Sequence, residues 1–78
     1  MKRKIFCTIP QDQIKEPLTF TLGKKFQVEY NIRGASVTEE IALLSLELEG
    51  PEDAVRDAIQ FLKDRGVQVE DLTEPEED

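Results

Sequence analysis

The chain has no histidine and no tryptophan, and only one cysteine and one methionine among its 78 residues. Without histidine it lacks the side chain that titrates near neutrality and the commonest metal ligand. No serine or cysteine nucleophile can be paired with an imidazole base. A single cysteine forms no intramolecular disulfide, and zinc sites built from cysteine and histidine are excluded with it. No apolar run approaches the ~20 residues that cross a bilayer. The start Met1-Lys2-Arg3-Lys4 leads into only a few apolar residues before Pro10, too few for a secretory signal. The expectation is a cytoplasmic protein without membrane insertion. Basic residues are scarce beside acidic ones, 10 against 17, for a formal charge of −7, which repels a phosphate backbone and argues against nucleic acid as a partner. The many carboxylates are scattered over polar faces without the spacing of a calcium loop. Composition therefore points away from an enzyme, with no catalytic residues, no metal and no cofactor.

What remains is a one-domain chain with clear hydrophobic periodicity. Lys2 to Ile9 alternates, with Ile5, Cys7 and Ile9 on one face and Lys4, Phe6 and Thr8 on the other, and Pro10 ends it. Cys7 there reads as a small buried hydrophobe. Gln11 to Lys15 is a polar connection. Glu16 to Lys25 is ambiguous. Leu18, Leu22 and Phe26 fall at i, i+4 and i+8, and Pro17 and Glu16 suit a helix start. Thr19, Thr21 and Gly23 argue instead for a hairpin.

Phe26 to about Ala35 is a strand with Phe26, Val28, Tyr30 and Ile32 on one face and Gln27, Glu29, Asn31 and Arg33 on the other. Ser36 to Glu40 is a turn. In the strand Ile41 to Glu49, Ala42, Leu44, Leu46 and Leu48 share a face, opposite Ile41, Leu43, Ser45, Glu47 and Glu49. Gly50-Pro51-Glu52-Asp53 starts a helix, with Gly50 as N-cap and Pro51 in the first position. Ala54, Val55, Ala58, Ile59 and Leu62 make its apolar stripe, and Gly66 suits the left-handed residue after its last turn. Val67 and Val69 begin a last strand. Residues 74–78 read as a disordered acidic tail after a domain of residues 1–73.

With the helical choice for Glu16 to Lys25 the order is βαββαβ, that of an α+β ferredoxin-like domain: a four-stranded antiparallel sheet with two helices on one face. Several segments then resemble the NIL domain over roughly Arg3 to Leu72. They are Pro17-Leu18 with Leu22, Lys25-Phe26-Gln27-Val28, Asn31-Ile32-Arg33, Leu46-Glu47-Leu48-Glu49-Gly50, Ala58-Ile59 with Leu62, and Gly66-Val67-Gln68-Val69-Glu70-Asp71-Leu72. That family is known as the C-terminal regulatory module of methionine-importing ABC transporter ATPases, and also occurs alone or fused to ferredoxin modules. The resemblance implies that Glu16 to Lys25 is helical, that two domains pair through their sheets, and that methionine binds and slows import. It also places the asparagine of the family's Asn-Ile-Leu motif at Asn31. The third motif position is Arg33 here, and Ser36 to Glu40 is shorter than in the transporters. The sequence carries no Walker loop, so regulation of transport in cis is not expected of it.

In such a fold Phe26, Val28, Tyr30, Ile32, Leu44, Leu46 and Leu48 are expected beneath the helices with Ile5, Cys7 and Ile9. The other face is left for a partner. Phe6, Gln27, Ile41 and Leu43 are the candidate interface of a homodimer. Asn31 and Arg33 are the candidate ligand-binding residues for a small amino acid, since an amide offers donor and acceptor and a guanidinium matches a carboxylate. The alternatives are that Asn31 and Arg33 pair with Glu29 or Glu47 across strands, and that the chain docks on a protein partner without a small ligand, steered by its charge.

Overall fold

The computed structural model describes residues 1–74. Along the chain it places β1 (Lys2–Pro10), a 3-10 turn (Gln11–Gln13), α1 (Leu18–Lys25), β2 (Glu29–Val37), β3 (Ile41–Glu49), α2 (Glu52–Asp64) and β4 (Gln68–Asp71). The strands form one sheet in the order β2-β3-β1-β4. Every neighbouring pair is antiparallel. The architecture is the α+β ferredoxin-like one read from the order of elements.

Alternation in the two central strands builds the core. Ile5, Cys7 and Ile9 of β1 stand opposite Leu46, Leu44 and Ala42 of β3. Against them lie Leu18 and Leu22 of α1, and Val55, Ala58, Phe61 and Leu62 of α2. Phe26 meets Phe61 edge to face with ring centroids 5.6 Å apart. Tertiary packing of Leu18 and Leu22 holds α1 helical in spite of its threonines. Gly23, unfavourable in a helix, admits the Tyr30 ring, whose Cε1 would lie 3.1 Å from an added Cβ.

Helix α2 begins one residue later than expected. Pro51 occupies the N-cap position and Glu52 and Asp53 lie in the first turn. Its end is a Schellman motif: Gly66 has φ +84°, its N–H donates to the Lys63 carbonyl, and the Val67 N–H donates to that of Leu62. Gly50 serves a different purpose from the expected cap. An added Cβ would sit 2.6 Å from the Gln27 carbonyl oxygen, so the end of β3 can approach the segment before β2 only with glycine there.

The second strand departs from expectation. Val28 is buried and Phe26 half-buried, but Tyr30 and Ile32 are 37% and 51% exposed rather than covered by the helices. β2 is the outer strand of the sheet, so its helix-side residues stand at the rim of the layer that the helices cover. The strand also runs to Val37, further than the turn expected from Ser36, and the reversal is confined to residues 38–40. There the Thr38 hydroxyl accepts from the N–H groups of Glu40 and Ile41. After β4 the chain continues beside β1, where the Leu72 N–H donates to the Lys4 carbonyl and the Lys4 N–H donates to Thr73 Oγ1. The acidic tail expected over 74–78 lies, from Pro75 onward, outside the described residues.

Candidate functional site

The register shifts between Ile32 and Gly34, so that Arg33 is an extra residue in β2 against Ser45 of β3. Such a bulge bends the strand and re-aims its side chains. Beyond it Ala35 and Val37 pair with Leu44 and Ala42, which returns Val37 to the helix side of the sheet; uninterrupted alternation would have put Gly34 and Ser36 there.

On the opposite, open face, Asn31 stands across from Glu47. Arg33 lines a shallow cavity of about 200 Å³ with Lys4, Ser45 and Leu72. Neither Asn31 nor Arg33 has an ion pair or side-chain hydrogen bond among the described residues. The expected cross-strand pairing with Glu29 or Glu47 is absent there, and Glu47 instead lies 4.0 Å from Lys2 Nζ. A guanidinium, an ammonium-bearing side chain and a hydroxyl around one cavity can receive a carboxylate, and Leu72 supplies an apolar contact. Sequence reasoning missed Lys4, Ser45 and Leu72. The alternation does assign Lys4 and Ser45 to this face, but the path of the chain after β4 along β1 has no local signal.

Three of the four candidate interface residues share this face. Phe6 lies half-buried between Ser45 and Glu70, Leu43 between Thr8 and Ser36, and Ile41 opposite Pro10. Gln27 stands apart, before β2 and beside Gly50, at the other end of the sheet from Ile41. A second exposed apolar surface follows the outer edge of the sheet on the helix side, where Tyr30, Ile32 and Val37 of β2 join Phe20 of α1, 57% exposed. It was missed because alternation alone assigns Tyr30 and Ile32 to the core. Among the described residues β2 bonds only to β3, and all nine of its residues are exposed.

Cys7 is enclosed in the core, and burial pushes its thiol up to about 11, so it is neither nucleophilic nor a ligand at neutral pH. At the opposite edge, burial pushes the Asp71 carboxyl up. Hydrogen bonds from the Thr73 side chain and backbone, with the charge of Arg3, outweigh this and hold it below its ordinary value. Among the described residues no helix is long and apolar enough to cross a membrane.

The sequence pattern of the NIL domain matches residues 7–71. This chain belongs to the NIL domain family. The match takes in β1 from Cys7 onward and every later strand and helix, including the bulged β2 with Asn31-Ile32-Arg33. The NIL domain described here is also similar in structure to the C-terminal domain of an ABC transporter ATP-binding protein from Enterococcus faecalis. The TM-score is 0.78 at 22% identity, over 90% of this chain and 82% of that one; at that identity the likeness shows a shared fold. No curated protein matches the sequence.

Proposed function

We propose that this NIL domain is a non-catalytic regulatory module of the cytoplasm that pairs with a second copy and senses a small amino acid, such as methionine, on the open sheet face. The observation that carries the reading is Arg33: a bulge lifts a cation without a partner among the described residues to the rim of a cavity that Leu72 makes partly apolar. The guanidinium takes the ligand's carboxylate, Asn31 its polar backbone atoms, and Leu72 or Phe6 its apolar side chain. The family itself supports a regulatory role. Calorimetric titration with methionine and the other amino acids tests it. Heat of binding for at least one of them, weakened about tenfold or more by Arg33→Ala, is the expected result, and no heat from any amino acid at millimolar concentration contradicts the ligand.

Pairing is supported by β2, a nine-residue edge strand whose outward N–H and C=O groups are open to strand addition. Its only charged residues are Glu29 and Arg33, so two copies meeting there bring no excess of like charge together in spite of the acidic chain. Tyr30, Ile32, Val37 and Phe20 become buried in such a pair. The same exposed edge also favours a second reading, strand addition to a different protein without a small ligand. Light scattering separates the two: a mass of twice the chain supports self-pairing, and a monomer at high concentration leaves the edge to a partner that affinity capture with and without residues 74–78 identifies.

A further inference from the structure

We propose that the NIL domain carries a second ligand site, separate from Arg33, for a small primary alkylamine. It is a cavity of about 240 Å³ at the end of the sheet, between the connection that follows β1 and the start of α1. Its floor is the cross-strand row Ile9, Ala42 and Val37. Every other helix-side position of β3 holds leucine (Leu44, Leu46 and Leu48), so the hollow lies where the β3 side chain is short. Ile14, Pro17 and Leu18 roof it, and Val37, 66% exposed, stands at its open side.

The polar groups around this hollow select the ligand's chemistry. Gln13 lines it, and the Gln13 Oε1 is closed off from solvent with no hydrogen-bond partner among the described residues, an unfavourable state for a polar atom. The terminal torsion of a glutamine is soft, so a bound N–H can recruit that oxygen. Glu16 adds a carboxylate to the lining and Thr19 a hydroxyl, and no lysine or arginine takes part. Two acceptors over an apolar floor, in a chain of formal charge −7, attract an ammonium and repel a carboxylate. The Arg33 cavity has the opposite preference. A short alkyl chain carrying one amino group matches the apolar floor and the acceptors at its rim.

The test is a titration of amide chemical shifts with 3-methylbutylamine, with 3-methylbutanoate as the isosteric acid. The amine is expected to shift Gln13, Val37 and Ala42 in the millimolar range and to bind at least tenfold more tightly than the acid. Ala42→Leu, which fills the hollow, should abolish those shifts, and Glu16→Gln, at an exposed position, should weaken them severalfold while the fold is unchanged. Absence of shifts up to tens of millimolar, shifts scattered over the acidic surface, or an equal response to the acid overturns the proposal. Binding of methionine at Arg33 is untouched by any of these outcomes.

Discussion

Replacement of Gly50 by alanine is expected to destabilise the domain far more than the same change at Gly34. At Gly50 the new Cβ would lie 2.6 Å from the Gln27 carbonyl oxygen, 3.3 Å from Val28 Cα and 3.4 Å from Val28 Cγ1. An ordinary C···O approach is about 3.3 Å, so backbone must separate from backbone by roughly 0.7 Å. Gly50 cannot simply retreat, because its N–H donates to the Met1 carbonyl at 3.0 Å and its carbonyl accepts from the Met1 ammonium at 2.8 Å. Overpacking of this kind costs about 1–3 kcal/mol. A domain of this size has a total stability of about 4–12 kcal/mol, and each kcal/mol moves its melting temperature by about 4–8 °C. Gly50→Ala should therefore melt about 5–20 °C below wild type by circular dichroism. Gly34 has no atom within 4 Å of an added Cβ, so Gly34→Ala should leave the melting temperature unchanged or raise it slightly, since glycine is unfavourable in a strand. Two variants melting within about 2 °C of each other would refute the close approach.

Other outcomes follow from single groups. Cys7 keeps its proton to about pH 11 when folded, against 9.0 for the ordinary thiol. The unfolded chain thus loses that proton first, and stability falls by about 1.4 kcal/mol per pH unit between those values. Denaturation midpoints of wild type and Cys7→Ala at pH 8 and 10.5 should show this loss in wild type alone, and equal losses would contradict it. Gly66→Ala forces a side chain into the left-handed region, φ +84°, and should cost about 1–2 kcal/mol, read as a lower urea midpoint; an unchanged midpoint argues against the Schellman end. Because the folded Asp71 carboxyl sits below its ordinary value of 3.8, its stabilisation is present above that pH and is lost as pH falls through the lower folded value. A carbon-detected NMR titration should place its midpoint below that of Asp71 in Thr73→Val, and a midpoint above 3.8 would contradict the bonding described.

The central layers were legible because their signals are local and repeated. Ile5, Cys7 and Ile9, and Ala42 to Leu48, alternate without interruption, and Gly66 marks the end of a strongly one-sided helix. The conformation of α1 was not fixed by local pattern, since Thr19, Thr21 and Gly23 oppose the leucine spacing; resemblance to the family settled what tertiary packing enforces. Tyr30 and Ile32 were misplaced because alternation says which face a residue takes but not whether a helix reaches far enough to cover it. The bulge at Arg33 has no signature in Asn31-Ile32-Arg33-Gly34 beyond a glycine inside a strand. The Arg33 cavity depends on Lys4 and Leu72, brought together by a chain path that no periodicity encodes.

In the function proposed above, β2 is the working strand, open at its edge when alone and engaged by ligand and second copy when functional. Amide hydrogen exchange across residues 29–37, with and without saturating methionine, tests this most directly. The prediction is fast exchange of the outward amides at low concentration and at least tenfold slower exchange when methionine is added. Exchange along β2 that stays the same with ligand and with protein concentration would contradict it.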